Sequence, residues 1–266
     1  ATQSPRRIHP DPNPPTTPHP LMDTYYSDGL VTIYHGDCFE ILHDLEGLGS
    51  IITDPPYSSG GQYRSDRMQK TSVKYVRSDT EAYRPEFAGD SRDSHGFLAW
   101  ATLWLNAAYR AANDDARLVV FSDWRQLPTM TDAVQAAGWL WQGINVWHKP
   151  NGRPRPNGFR CDSEFAVWAS RGPMGAPDLA SAIYLPGVHE SAPPTDRQHM
   201  TQKPESVMRW LVQIAPESGP VLDPFMGSGT TLRAAMDLGR KAIGIDVDER
   251  YCEIAAKRLG QQVLAL

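Results

Sequence analysis

Apolar and polar positions recur with two different periods along this chain, and the switches between them mark its elements. Leu30 to His35 (LVTIYH) alternates with the period of two of a strand, and Asp37 then stands where a helix cap belongs, ahead of Leu42 and Leu45. Ser50 to Thr53 is a compact β-branched run, read as a buried strand that ends on DPPY. Phe97 to Ala112 has helical spacing, Arg117 to Ser122 is another buried strand, and the segment from Gln126 reads as a helix stopped by Gly138. Strands follow at Ile144 to His148 and Glu164 to Ala169. The last third alternates regularly. A helix after Pro204 carries the stripe Val207, Met208, Leu211 and Ile214. A strand at Pro220 to Phe225, a helix at Ser228 to Gly239 and a strand at Lys241 to Asp246 come next, and a final helix has Tyr251, Ile254, Ala255 and Leu259 on one side. Strands alternating with helices predict an α/β fold with a mostly parallel sheet and helices on both faces.

Three segments break the pattern. Residues 1–22 are rich in proline and nearly free of apolar side chains, so they cannot offset the entropy of ordering and read as a flexible tail before a single domain at 23–266. Residues 58–94 are polar, have no steady period and exceed an ordinary connection, which predicts an insertion that contacts substrate. Its Arg64, Arg67, Lys70, Lys74 and Arg77 are diluted by Asp66 and Asp79, a mixture better suited to reading base edges than to binding phosphates. A second insertion, 149–162, holds Lys149, Arg153, Arg155 and Arg160 with no acid among them.

Composition narrows the class. With 266 residues, 40% of them hydrophobic, the chain can bury one sizeable core. A net charge of -5 means that any nucleic-acid surface is local, and the cations at 149–160 are dense enough to form a phosphate-binding strip. Cys38, Cys161 and Cys252 show neither CxxC nor Cys/His spacing, which argues against a disulfide framework and a structural zinc site and fits a reducing cytoplasm. No metal site is expected from the scattered histidines, and no apolar run suits a membrane span or a signal peptide.

Two motifs carry chemistry. LDPFMGSGTTL (Leu222 to Leu232) is a glycine-rich turn between a strand and a helix, where backbone N–H groups at the positive helix end favour a carboxylate or nucleotide. Leu232 stands where a dinucleotide fingerprint needs its third glycine, and no Gly-Lys pair makes a P-loop. Asp246 ends the next strand, seventeen residues beyond Gly229, where an acid binds ribose hydroxyls. A nucleoside with an amino-acid carboxylate and no phosphates meets these demands, and S-adenosylmethionine is such a molecule. In the second motif, Asp54 and the carbonyl of Pro55 can accept both hydrogens of an exocyclic base amine. That favours a pyramidal nitrogen with its lone pair toward a methyl donor. Pro55 and Pro56 stiffen the acceptor geometry, and Tyr57 offers a flat face to a base turned out of its stack.

DPPY (Asp54 to Tyr57), GDCFEIL (Gly36 to Leu42) before it and HMTQKPESVMRWLVQIAPESGPVLDPFMGSGTT (His199 to Thr231) after it together resemble the DNA amino-methyltransferases of the β group, in which the catalytic motif precedes the cofactor motif. The resemblance implies a Rossmann-like methyltransferase fold with this circularly permuted motif order. It implies that Asp223, Phe225, Gly227, Ser228, Gly229 and Thr230 line the methionine moiety of S-adenosylmethionine, that Asp246 takes the ribose and that Asp37 with Cys38 lies near the adenine. His199, Gln202 and Lys203, from the family's HxTQKP segment, border the cofactor by the same resemblance, with Met200 in place of the usual proline. Asp at the head of DPPY leans toward adenine N6, while cytosine N4 uses the same donor and acceptor logic. The implied partner is double-stranded DNA; a homodimer and a cognate restriction nuclease are partners that the family allows. Methylation of RNA or of protein glutamine uses a similar motif in the opposite order, and cytosine carbon-5 methylation needs a Pro-Cys nucleophile that this chain lacks. A DNA-binding module without activity would be expected to have lost Asp54 or the glycines, all of which are present.

Overall fold

The computed structural model of the chain describes residues 23–58, 92–152, 154–174, 182–193 and 203–260. The proposed tail at 1–22 and most of the 58–94 insertion lie outside these residues. In chain order the elements are β1 (Thr24–Ser27), β2 (Val31–His35), α1 (Cys38–Asp44), β3 (Leu48–Thr53), α2 (Ser94–Ala111), β4 (Ala112–Ser122), α3 (Leu127–Ala136), β5 (Leu140–His148), β6 (Ser163–Ser170), β7 (Val188–Glu190), α4 (Glu205–Val212), β8 (Val221–Asp223), α5 (Thr230–Asp237), β9 (Ala242–Asp246) and α6 (Glu249–Gly260). The helix boundaries follow local chemistry. Asp37 caps α1 by accepting from the Phe39 N–H at 2.9 Å, and Asp93 caps α2 by accepting from Gly96 at 2.8 Å.

Among the described residues, nine strands form one mixed sheet in the order β1-β2-β9-β8-β3-β4-β6-β5-β7. The five central strands from β2 to β4 run parallel. β6 runs antiparallel to both β4 and β5, β7 is parallel to β5, and β1 closes the other edge antiparallel to β2. Alternate residues of a strand point to opposite faces, and the core shows this directly. Ile51, Leu118 and Val120 pack with Phe97, Trp104 and Met130 under α1, α2 and α3, whereas Ile52, Val119 and Phe121 pack with Val207, Leu211, Leu232 and Leu259 under α4, α5 and α6. Both faces are therefore covered, as expected of a sheet whose strands read as continuous apolar runs.

Two strands had no signal in the sequence. β1 and β7 have four and three residues and mostly exposed side chains, so neither presents a buried face to give a period. β4 begins at Ala112 rather than Arg117, because Leu48 pairs with Ala112 before an irregularity carries the register on to Arg117. No helix of the described residues is long and apolar enough to cross a membrane.

Candidate active site

Parallel strands end on the same side of a sheet, and here the carboxyl ends of β2, β9, β8, β3 and β4 carry the residues singled out by chemistry. Asp37 follows β2, Asp246 ends β9, Asp223 ends β8 and Asp54 follows β3. The antiparallel strands complete the edge, since β6 begins there with Ser163 and Glu164, and β5 ends there with His148 paired to Ser163. Two motifs that lie far apart in the chain are thus adjacent in space because β8 pairs with β3.

At the glycine turn, Gly227 and Gly229 have φ of 49° and 78°, in the left-handed region where side chains are disfavoured. A Cβ on Gly229 would come within 3.0 Å of Ala255, so this glycine lets α5 seat against α6. A Cβ on Gly227 would meet nothing within 4 Å, which leaves that side of the turn open to a ligand. Asp246 accepts from the N–H groups of Gly227 and Asp248, each at 2.9 Å, and burial pushes its carboxyl up to about 6. The Gly227 N–H is accordingly directed at the acid of the neighbouring strand. Ser228 and Thr230 are buried, and Arg258 donates to the Ser228 carbonyl at 3.2 Å and to the Thr230 hydroxyl at 3.3 Å. Cys38 is buried in the first turn of α1, where burial pushes its thiol up to about 12.

Asp223, expected to line the methionine moiety, has a full set of internal partners. It is 2% exposed, with Oδ1 accepting from the Thr53 hydroxyl at 2.6 Å and the Phe225 N–H at 3.1 Å, and Oδ2 accepting from the Thr231 hydroxyl at 2.5 Å. Burial raises this carboxyl to about 6 against the pull of the two hydroxyls. Asp223 therefore fastens the catalytic strand to the glycine turn. Phe225 packs its ring against Trp100 and Trp104 of α2, with centroids 5.5 and 5.2 Å away.

The acid of DPPY sits in a row of alternating charges. Tyr57 donates its hydroxyl to Asp54 Oδ1, and Lys203 Nζ donates to Asp54 Oδ2 and, at 3.0 Å, to the Tyr57 oxygen. The ammonium also lies 3.3 Å from Glu164 Oε2, while Lys149 Nζ donates to Glu164 Oε1 at 2.9 Å. Burial raises the Asp54 carboxyl, and Lys203 pulls the other way. Burial alone would also raise Glu164, but Lys203 and Lys149 together hold it below the usual carboxylate range. For Lys203, burial works against the charge, and the two carboxylates outweigh it. Burial beside Asp54 keeps the Tyr57 phenol far from ionisation. Pro55 is buried, and Ser58 closes the turn with φ of 53°, its carbonyl 3.5 Å from the Gln126 amide. A non-glycine residue in the left-handed region at this point marks a turn held by its surroundings.

Lys203, expected beside the cofactor, and Lys149, expected in the basic strip, both make contacts that the sequence did not indicate. The first reaches the acid of the other motif, and the second is tied to Glu164 and lies over the Trp147 ring. Arg155 and Arg160 are exposed, with Phe159 between them 95% exposed. His199, Gln202 and Arg153 lie outside the described residues. Glu164 was missed; its sequence signal was an acid opening an otherwise apolar strand, EFAVWA, and the antiparallel course of β6 is what brings it to the carboxyl edge of the sheet.

Comparison with known proteins identifies the family. The family model described as DNA methylase, for N6 and N4 methyltransferases, matches residues 49–257. Type II methyltransferase M2.DpnII of Streptococcus pneumoniae is 26% identical over 262 residues, covering 90% of this chain and 93% of the relative. Type II methyltransferase M.HinfI of Haemophilus influenzae is 26% identical over 272 residues, covering 90% of this chain and 71% of the relative. Among solved structures, the M1.HpyAVI–SAM complex superposes with a TM-score of 0.58 at 27% identity, covering 86% of this chain and 99% of that one. The cytosine-N4-specific PvuII DNA methyltransferase has a TM-score of 0.65 at 15% identity, covering 88% and 87%, a likeness of fold.

Proposed function

Because this chain belongs to the DNA methylase family, we propose that it methylates the exocyclic N6 amine of adenine in double-stranded DNA, as one catalytic domain spanning 23–266. S-adenosylmethionine supplies the methyl group as an electrophilic sulfonium substituent. The single observation that carries the reading is the shared sheet edge, where β8 and β3 pair and put the strand end that leads into the glycine turn beside the one that carries Asp54. The residues suited to hold the cofactor are Gly227 with its open flank, Asp246 at the end of β9 and Asp37 at the end of β2.

Asp54 accepts one hydrogen of the amine and the Pro55 carbonyl the other, which favours a lone pair directed out of the base plane. Methylation would leave the amine cationic, and Asp54, a half-buried carboxylate, would stabilise that charge until a proton leaves to solvent. Tyr57 holds Asp54 Oδ1 through its hydroxyl, and its ring is the face against which the base rests. Arg155 and Arg160, with Arg153 between β5 and β6, contact phosphates, and the 58–94 insertion reads base edges. A cytoplasmic setting suits three cysteines that stand unpaired.

Turnover of wild type and Asp54→Ala on duplex DNA tests the assignment. The variant should lose at least about 1,000-fold in kcat, as expected where a preorganised electrostatic contact to the reacting group is removed. It should still bind S-adenosylmethionine by calorimetry within about twofold. A variant that retains near-normal turnover would overturn the role of Asp54.

A further inference from the structure

The row Lys149, Glu164, Lys203 and Asp54 joins the end of β5, the start of β6, the residue before α4 and the end of β3. The Lys203 ammonium is 6% exposed and has three N–H donors and three partners, namely Asp54 Oδ2, the Tyr57 oxygen and Glu164 Oε2. A lone buried Lys–Asp pair would concentrate the cation on the carboxylate that has to accept the substrate amine. A second carboxylate on the same ammonium divides that attraction, and Lys149 compensates the added negative charge.

Resting on the reading of Asp54 as the amine acceptor, we propose that Glu164 is a positioning residue that shares the Lys203 ammonium with Asp54 and so leaves the Asp54 carboxylate strong enough to accept the base amine. Glu164 acts through Lys203 and touches neither base nor cofactor. Among the described residues, the charged and titratable groups around Asp54 come from every neighbouring element. They are Tyr57 on its own turn, Asp223 on β8, Asp123 beyond β4, Glu164 on β6, Lys149 beyond β5 and Lys203 before α4. Glu164 raises the Asp54 carboxyl and Lys203 lowers it, so removing one or the other moves its titration in opposite directions.

The test titrates Asp54 in full-length protein labelled with 13C at the aspartate carboxyls, its resonance identified by its loss in Asp54→Asn, in wild type, Glu164→Gln and Lys203→Met. Glu164→Gln should move the Asp54 midpoint to lower pH and yet reduce kcat by roughly 100-fold, the scale of a misplaced reacting group. Its affinity for S-adenosylmethionine should stay unchanged. Lys203→Met should move the midpoint to higher pH, and Glu164→Gln added to Lys203→Met should lower kcat no further. Glu164→Asp, which keeps the charge, should restore part of the rate. The inference is overturned if both single variants move the midpoint the same way, or if Glu164→Gln leaves kcat unchanged. Midpoints that move as expected in a wild-type protein with no activity on DNA would overturn the proposed reaction alone, because the titration needs no turnover.

Discussion

Single side chains set the protonation pattern of this site. Asp246 is a half-buried acid whose carboxyl is pushed up to about 6, above its unfolded value of 3.8, so its charge costs stability once both states are ionised. The cost is absent below about pH 4, grows as pH rises through the interval to 6 and is constant above it. Wild type should therefore gain on Asp246→Asn as pH falls from 7 to 5, by about 1 kcal/mol. Thermal melts of both proteins without cofactor check this, and a gap that does not change with pH would refute it. On the proposed reading, the acid that lowers stability is the one that binds the ribose. The residues of this site were unequally legible in the sequence. Asp54, Gly227 and Asp246 announce themselves because each sits in a local pattern that needs its chemistry. Glu164 does not, since its partner Lys203 is chosen by strand order and no local spacing encodes it.

At the scale of elements, the clearest expectation concerns the β5–β6 connection. Lys149 is held by Glu164, which leaves Arg155 and Arg160 as the exposed described cations of that loop. Replacing both with alanine should weaken duplex binding and reduce the slope of log affinity against log salt by about 2, near 0.9 for each phosphate no longer neutralised. An unchanged slope in a fluorescence titration at several salt concentrations would show that the loop does not touch the backbone. Helices and parallel strands were legible because amphipathic period and caps such as Asp37 and Asp93 are local. The antiparallel placement of β6 was not, because EFAVWA reads as a buried strand in either direction. The edge strands β1 and β7 lacked a buried face altogether.

For the whole molecule, the order of strands converts two distant motifs into one site. β8 lies between β9 and β3, so the glycine turn is flanked by Asp246 on one side and by Asp54 on the other, with Asp223 bonding Thr53 and Thr231 across the junction. On the proposed reading, this arrangement gives the cofactor and the acceptor amine neighbouring places on one edge, which is the requirement for direct methyl transfer. The most direct measurement is incubation of the full chain with tritiated S-adenosylmethionine and duplex DNA, followed by digestion to nucleosides and chromatography. Label in N6-methyldeoxyadenosine is the predicted result. Label in N4-methyldeoxycytidine instead would contradict the choice of adenine, and DNA that acquires no label would contradict the proposed reaction itself.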